Sequence, residues 1–246
     1  MGPEEAQKMK SYEKNHHVLR PIILIGILTC VFITTVSFTY SYYSKAEASQ
    51  RLLEIEENIA NVRGAVDLVS LRQQNIQKVL SIINKYNEEL PRKQKYAIAN
   101  EIHEMCLKYS NLNVNLICAT ITHESALTWR PDVISPVGAL GLMQIMPETG
   151  EELAAEEGIP WKSAEDVLFD PIQNIRLGCR YLSLLIQYYE IDGGLAAYNG
   201  GERRAKLWLE KRNDKTDLTL LWEETQVYVP TILKLYAQYQ SQTDAF

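Results

Sequence analysis

Residues 117–150 read ICATITHESALTWRPDVISPVGALGLMQIMPETG, and one carboxylate, Glu124, stands at the end of the apolar run that opens them. A carboxyl carried by an apolar helix sits against a low-dielectric wall. Desolvation there disfavours the charged form and raises its pKa. A carboxylic acid that keeps its proton near neutral pH can protonate a leaving oxygen as a general acid. Position alone favours a plainer reading, a helix-end glutamate facing solvent. Glycan-cleaving sites usually pair two carboxylates. No partner is obvious here, although Asp132 lies in the following loop and Glu148 and Glu151 follow the Gly-Leu-Met-Gln segment.

Other residues offer binding chemistry. Gly138 and Gly141 lack Cβ and would allow close backbone approach to a ligand, or a simple turn. Gln144 and Asn199 carry paired donors and acceptors suited to amides and hydroxyls, or to capping. Tyr198 and Tyr228 combine an apolar ring with a polar tip, and either ring could equally be core. Met146 reads equally well as packing.

Other chemistries lack their signatures. Neither His103-Glu104 nor His123-Glu124 is followed by the second histidine of a zinc-protease helix. There is no Gly-x-Ser-x-Gly elbow and no phosphate-cradling loop. His103, Cys106, Cys118 and His123 match no zinc spacing, so no metal and no cofactor are expected. The net charge of −6 argues against nucleic acid as a partner, since phosphate binding needs a basic stripe. Cys106, Cys118 and Cys179 read as buried small apolar residues, with a Cys106–Cys118 bridge as the alternative.

Three kinds of element must position these groups. Residues 21–44 carry no charge between Arg20 and Lys45. As a helix they span about 36 Å, enough for a hydrocarbon core of about 30 Å. Phe38, Tyr40, Tyr42 and Tyr43 crowd the far end as an interfacial belt would. Lys8, Lys10, Lys14 and Arg20 on the near flank place residues 1–20 in the cytoplasm. Ala46-Glu47-Ala48 has the form of a signal-peptide cleavage site, but the apolar run exceeds the usual length of such a signal. An uncleaved single-pass anchor in the cytoplasmic (inner) membrane is the expectation, with the C-terminal domain in the periplasm or outside the membrane.

Leu52, Ile55, Ile59, Val62, Val66, Val69, Gln73, Ile76, Leu80 and Ile83 alternate spacings of three and four. Such a seam reads as a coiled-coil stalk over 45–90 and implies a homo-oligomer. Gln73, the polar exception, would fix register. The alternative is one amphipathic helix packed on its own C-terminal domain. Pro91 ends this helix.

Residues 91–246 read as one globular, all-α domain. Ile98, Ile102, Met105 and Tyr109 mark one helix face. The segment NVNLICATITHESA is apolar nearly all round and should be central. Asp170-Pro171 caps a helix that should run to about Glu190 and stop near Gly193-Gly194. ETQVYVPTILKLYAQYQ supplies a last helix.

The segments HES, SPVGALGLMQIMP, LFDPIQNIRLGCRYL, LAAYNGG and EETQVYV occur in that order. This series resembles the soluble lytic transglycosylase family over roughly residues 95–237. The resemblance implies a lysozyme-like helical catalytic domain, behind the transmembrane helix and stalk. It implies cleavage of the MurNAc–GlcNAc β-1,4 bond of peptidoglycan, leaving 1,6-anhydro-MurNAc ends. Glu124 matches the one catalytic acid/base, and Ser125, Ser135, Gln144, Met146, Tyr198, Asn199 and Tyr228 match residues lining the substrate groove. The partners implied are glycan strands, the membrane through residues 21–44 and an envelope-spanning machine. A lysozyme-like hydrolase and a non-enzymatic glycan-binding scaffold are the alternatives. The loop around Thr128 and Trp129 is longer than the family pattern, Leu127 replaces a common aromatic, and Glu202 stands where proline is expected.

Overall fold

The computed structural model describes residues 3–212 and 223–241, with side chains from Arg20 onward. The chain divides into two units, Met1–Asp67 and Leu68–Phe246. Helix α1, Pro3–Tyr86, runs through both.

In the first unit every described side chain from Arg20 to Asp67 is exposed. Ile22, Leu24, Phe32 and Phe38 are all more than half exposed, an apolar surface that water does not tolerate over this length. Within α1 the described part is long and apolar enough to cross a membrane. Leu52, Ile55, Ile59, Val62 and Val66 of the heptad seam are exposed too.

The second unit is helical, and its described residues form no strand beyond two isolated bridges, Ile134 to Leu140 and Leu140 to Ile145. Its elements after α1 are α2 (Arg92–Lys108), α3 (Val114–Glu124), α4 (Pro147–Glu157), α5 (Ala164–Leu168), α6 (Pro171–Gly200), α7 (Glu202–Lys211) and α8 (Glu223–Ser241). The all-α expectation holds among the described residues.

The centre of the unit is α3. Leu116, Ile117, Cys118, Ala119 and Ile121 have no exposed surface, so this helix is buried on every side, as its composition predicts. Asn113 caps it by accepting from Leu116 N at 3.1 Å. Helix α8 packs on α3, and α2 and α8 pack on α6. The last turns of α1 belong to the same core, through Ile76, Val79, Ile82 and Ile83. Lys95 links those turns to α2, donating to Asn84 Oδ1 at 2.6 Å and to Glu88 O at 2.7 Å. Arg176 grips buried Glu101 with two bonds of 2.6 and 3.0 Å, tying α6 to α2.

Helix α6 begins as expected: Asp170 accepts from Ile172 N at 2.8 Å and Gln173 N at 3.1 Å, and Pro171 occupies the first turn. Its first stretch ends at Glu190 as expected, but the stop at Gly193-Gly194 is corrected. The helical course breaks at Glu190, with φ 61° and ψ −178°, and resumes through Gly193-Gly194 to Gly200. The two glycines are packing sites and do not stop the helix. A Cβ on Gly194 would lie 2.8 Å from the Ile186 backbone, so only glycine allows this approach. Cys106, Cys118 and Cys179 are free thiols, the latter two buried.

Candidate active site

Glu124 is the last residue of α3, and the turn that follows fixes how its carboxyl is presented. Ala126, Leu127 and Trp129 all adopt left-handed φ values of 50°, 63° and 50°. Each such non-glycine residue stores strain of about 1 kcal/mol or more. The turn is held by a buried anchor. Trp129 has no exposed surface, its indole donates to Thr122 Oγ1 at 2.9 Å, and its backbone N–H donates to Ser125 Oγ at 3.0 Å. Leu127 N donates back to Thr122 O at 2.9 Å. Ser125 is therefore wholly inside the turn, where its hydroxyl builds the loop that presents Glu124.

Tyr228 of α8, 104 residues away in sequence, donates its hydroxyl to Glu124 Oε1. Helix α3 brings the glutamate and α8 brings the tyrosine, and their packing makes the pair. Glu124 keeps partial surface exposure while neighbouring elements crowd its carboxyl. Burial pushes its pKa up to about 7; the Tyr228 bond opposes this and the charge of Glu224 adds to it. Tyr228 stays a proton donor, because burial and then the Glu124 charge hold its pKa well above the usual range. Tyr198 is raised well above its usual range by burial and by the charge of Glu124 in the same way. His123 stacks edge-on against Tyr228 at 4.8 Å. Burial lowers the pKa of His123 against the opposing pull of Glu224, so the ring is neutral at pH 7.

A second group of polar residues closes one end of the site. Asn199 donates to Glu224 Oε1 at 3.0 Å and accepts from Thr225 Oγ1 at 2.8 Å. Arg204 donates to both Asn199 Oδ1 at 2.5 Å and Glu224 Oε2 at 2.9 Å. Burial pushes Glu224 up, but its bonds from Arg204 and Asn199 outweigh that and hold it below the usual carboxylate range. Glu224, Arg204 and His123 were not legible as site residues. The available signals were the Glu-Glu-Thr-Gln opening of the last motif, which contains Glu224, and the HES segment, which contains His123.

The Gly-Leu-Met-Gln segment is built as a tight, self-bonded loop. Ser135 Oγ accepts from Ala139 N at 2.9 Å, and Gly138, with φ 92°, turns the chain. Gln144, at φ 48°, donates to Gly141 O at 2.7 Å and Val133 O at 3.2 Å. Gly141 has φ 81°, and a Cβ there would collide with Asn174 and the Leu168 carbonyl. Its conformational freedom serves this internal contact with α6, whereas the sequence suggested ligand approach. Fully buried Asn174 pins the loop by accepting from Met143 N at 2.8 Å and donating to Leu140 O and Leu168 O at 3.0 and 2.9 Å. Tyr198 Oη donates to Met143 O at 2.8 Å, joining this loop to the end of α6. Met146 precedes α4 and is 38 % exposed.

Residues 102–221 match the family described as "Transglycosylase SLT domain". The chain is 38% identical over 129 residues to the soluble lytic murein transglycosylase of Escherichia coli (strain K12), covering 50% of this chain and 20% of that protein. It is 34% identical over 110 residues to membrane-bound lytic murein transglycosylase C of Photorhabdus laumondii, covering 41% of this chain and 30% of that protein. Among solved structures, the 70 kDa soluble lytic transglycosylase of Escherichia coli aligns with 31% identity and a TM-score of 0.47, over 60% of this chain and 26% of that one. The chain thus spans about a fifth of the length of the first curated relative it matches.

Proposed function

We propose that the chain is a membrane-anchored lytic transglycosylase that cleaves the MurNAc–GlcNAc β-1,4 bond of peptidoglycan and leaves 1,6-anhydro-MurNAc ends. The observation that carries this reading is the state of Glu124: a carboxyl whose pKa is about 7, held by Tyr228 at the end of a buried helix. Near neutral pH a large fraction of it carries a proton to give to the glycosidic oxygen. Tyr228 orients the carboxyl through Oε1 and leaves the other oxygen to face the substrate. Once ionised, the same residue takes the proton of the muramic 6-hydroxyl as that oxygen closes on C1. The N-acetyl group of the sugar meets the developing positive charge, a substrate-assisted route that needs no second enzyme carboxylate.

In this reading the lysozyme-like helical domain forms the groove with Ser135, Gln144, Met146, Tyr198 and Asn199 on its walls, and Ser125 shapes the loop at its edge. Residues 1–20 are cytoplasmic, 21–44 cross the inner membrane once, 45–90 form the stalk, whose last turns pack into the core of the domain that follows, and 91–246 form the catalytic domain outside. The exposed Leu52, Ile55, Ile59, Val62 and Val66 support pairing of the stalk with further copies. The assembly opens the wall locally around an envelope-spanning machine.

One observation favours a second reading, a lysozyme-like muramidase. Glu224 is an ionised carboxylate whose charge reaches Glu124. Against it, both Glu224 oxygens already accept hydrogen bonds, from Asn199 and Arg204. Asp132 is an exposed partner of Arg130, and Glu148 and Glu151 are exposed on α4. Digestion of isolated peptidoglycan by the wild-type chain and by Glu124→Gln tests the role of the acid. Removing a general acid should lower turnover at least about 100-fold; comparable turnover by the variant would sink the proposal.

A further inference from the structure

The strained turn after Glu124 is held from outside α3 as well as from within it. Trp129 donates its backbone N–H to Ser125 and its indole N–H to Thr122, both close in sequence. Its carbonyl has a distant partner: Asn87, the residue that follows α1, donates Nδ2 to Trp129 O at 3.3 Å. The Asn87 side chain is fixed at its other atom too, because Oδ1 accepts from Leu90 N at 3.1 Å. Its backbone N–H donates to Ile83 O at 2.7 Å, which holds it on the end of α1. A second line joins the same turn to the same helix end. The Trp129 indole donates to Thr122 Oγ1, Thr122 Oγ1 meets Tyr239 Oη of α8 at 3.0 Å, and Tyr239 donates to Tyr86 Oη of α1 at 3.3 Å. Tyr239 gives its one hydroxyl proton to Tyr86, so Thr122 is the donor between them and the chain runs one way from Trp129 to Tyr86. Thr122 and Tyr239 are buried, which keeps water from replacing these bonds. Lys78 of α1 also donates to Tyr239 O, fixing this end of α8 on α1. Left-handed backbone at Ala126, Leu127 and Trp129 persists only where such surroundings over-determine it.

We propose that Asn87 and Tyr86, at the end of α1, are positioning residues for Glu124: the end of the stalk helix clamps the left-handed turn that presents the acid, and so is a working part of the catalytic site. This rests on Glu124 being the acid of the proposed reaction. It also gives the extra length around Thr128 and Trp129 a role, since that segment is what reaches Asn87. The groups that face the Glu124 carboxyl are Tyr228 and Glu224 from α8 and Tyr198 from α6, with His123 beside it on α3. Glu224 is paired in turn with Arg204 of α7. Asn87 bonds to none of these, so a change at Asn87 reaches Glu124 through the turn. Loosening the turn admits water to the carboxyl. Burial is the main cause of its raised pKa, so the pKa then falls back toward the ordinary carboxylate range.

The test uses the full chain labelled with carbon-13 at its glutamate carboxyls, the Glu124 resonance being identified by its loss in Glu124→Gln. Asn87→Ala removes both side-chain bonds of Asn87. Asn87→Asp keeps an acceptor for Leu90 N and loses only the donor to Trp129 O. In Asn87→Ala, which adds no charge, the titration midpoint of Glu124 should drop by at least about half a pH unit. Both variants should lower kcat on soluble glycan strands about 10-fold with KM held within about twofold, as a displaced reacting group does and lost binding does not. Tyr86→Phe removes the acceptor of Tyr239 and should act in the same direction. Wild-type kcat in Asn87→Asp would assign the effect to the Leu90 contact and overturn the proposal. An unmoved Glu124 midpoint in Asn87→Ala would overturn it as well. A wild-type chain that cleaves no glycan would sink the assigned activity instead, and the Glu124 titration would still decide whether the clamp exists.

Discussion

Replacing Glu124 by glutamine should stabilise the protein, and only above the pH at which free glutamate ionises. Burial raises the folded-state pKa of Glu124 from 4.5 to about 7. Below pH 4.5 the residue is neutral in both folded and unfolded chains, and its ionisation contributes no difference. Between those values the unfolded chain releases the proton and the folded chain keeps it. Stability therefore falls as pH rises, by up to about 1.36 kcal/mol per pH unit. Above about pH 7 both states are ionised and the full penalty of roughly 3 kcal/mol is in place. Glutamine has the same shape, carries no charge and still offers Tyr228 an acceptor. The variant should thus match the wild type near pH 4.5 and exceed it by roughly 2–3 kcal/mol at pH 8.5, several degrees in Tm. Urea unfolding of both chains across this range reads the difference directly. A stability gap that does not change with pH would refute the claim that Glu124 is held as a neutral acid.

Other perturbations follow from the same contacts. The bond from Tyr228 lowers the Glu124 pKa and the charge of Glu224 raises it, so Tyr228→Phe should move the alkaline fall of kcat/KM to higher pH and Glu224→Gln should move it lower. A pH–rate profile of both variants, with shifts in one direction, would contradict this. Trp129→Ala removes a fully buried ring and the indole hydrogen bond to Thr122 that clamps the turn, and should cost about 3–5 kcal/mol in urea unfolding. Gly194→Ala drives a methyl group into the Ile186 backbone and should cost about 1–3 kcal/mol in the same assay.

Much of the helical frame was legible because its signals are local. The Asp170-Pro171 start, the all-apolar α3 and the faces of α2 and α8 follow from capping chemistry and helical periodicity over neighbouring residues. Gly193-Gly194 misled for the same reason. A glycine pair is a local stop signal, yet here the pair serves a contact with Ile186 that only the folded chain defines. The heptad stripe shows a related ambiguity. Its spacing says that a face is covered, and the burial of Ile76 and Ile83 shows that the last of it is covered by the domain that follows. Glu124 and Tyr228 could be singled out by the order of motifs. Their direct bond could not, since it depends on α3 packing on α8. The Asn199–Arg204–Glu224 network escaped for the same reason: each member alone is an ordinary surface polar residue, and only its long-range pairing gives it a role at the site.

The most direct test of the account is the chemical form of the muramyl end. Peptidoglycan digested by the wild-type chain in water enriched in oxygen-18 is separated into muropeptides and weighed by mass spectrometry. Closure of the muramic 6-hydroxyl on C1, with Glu124 as the base, predicts 1,6-anhydro-MurNAc ends without the heavy label. Reducing MurNAc ends carrying oxygen-18 would show that water is the nucleophile and would contradict the single-carboxylate mechanism.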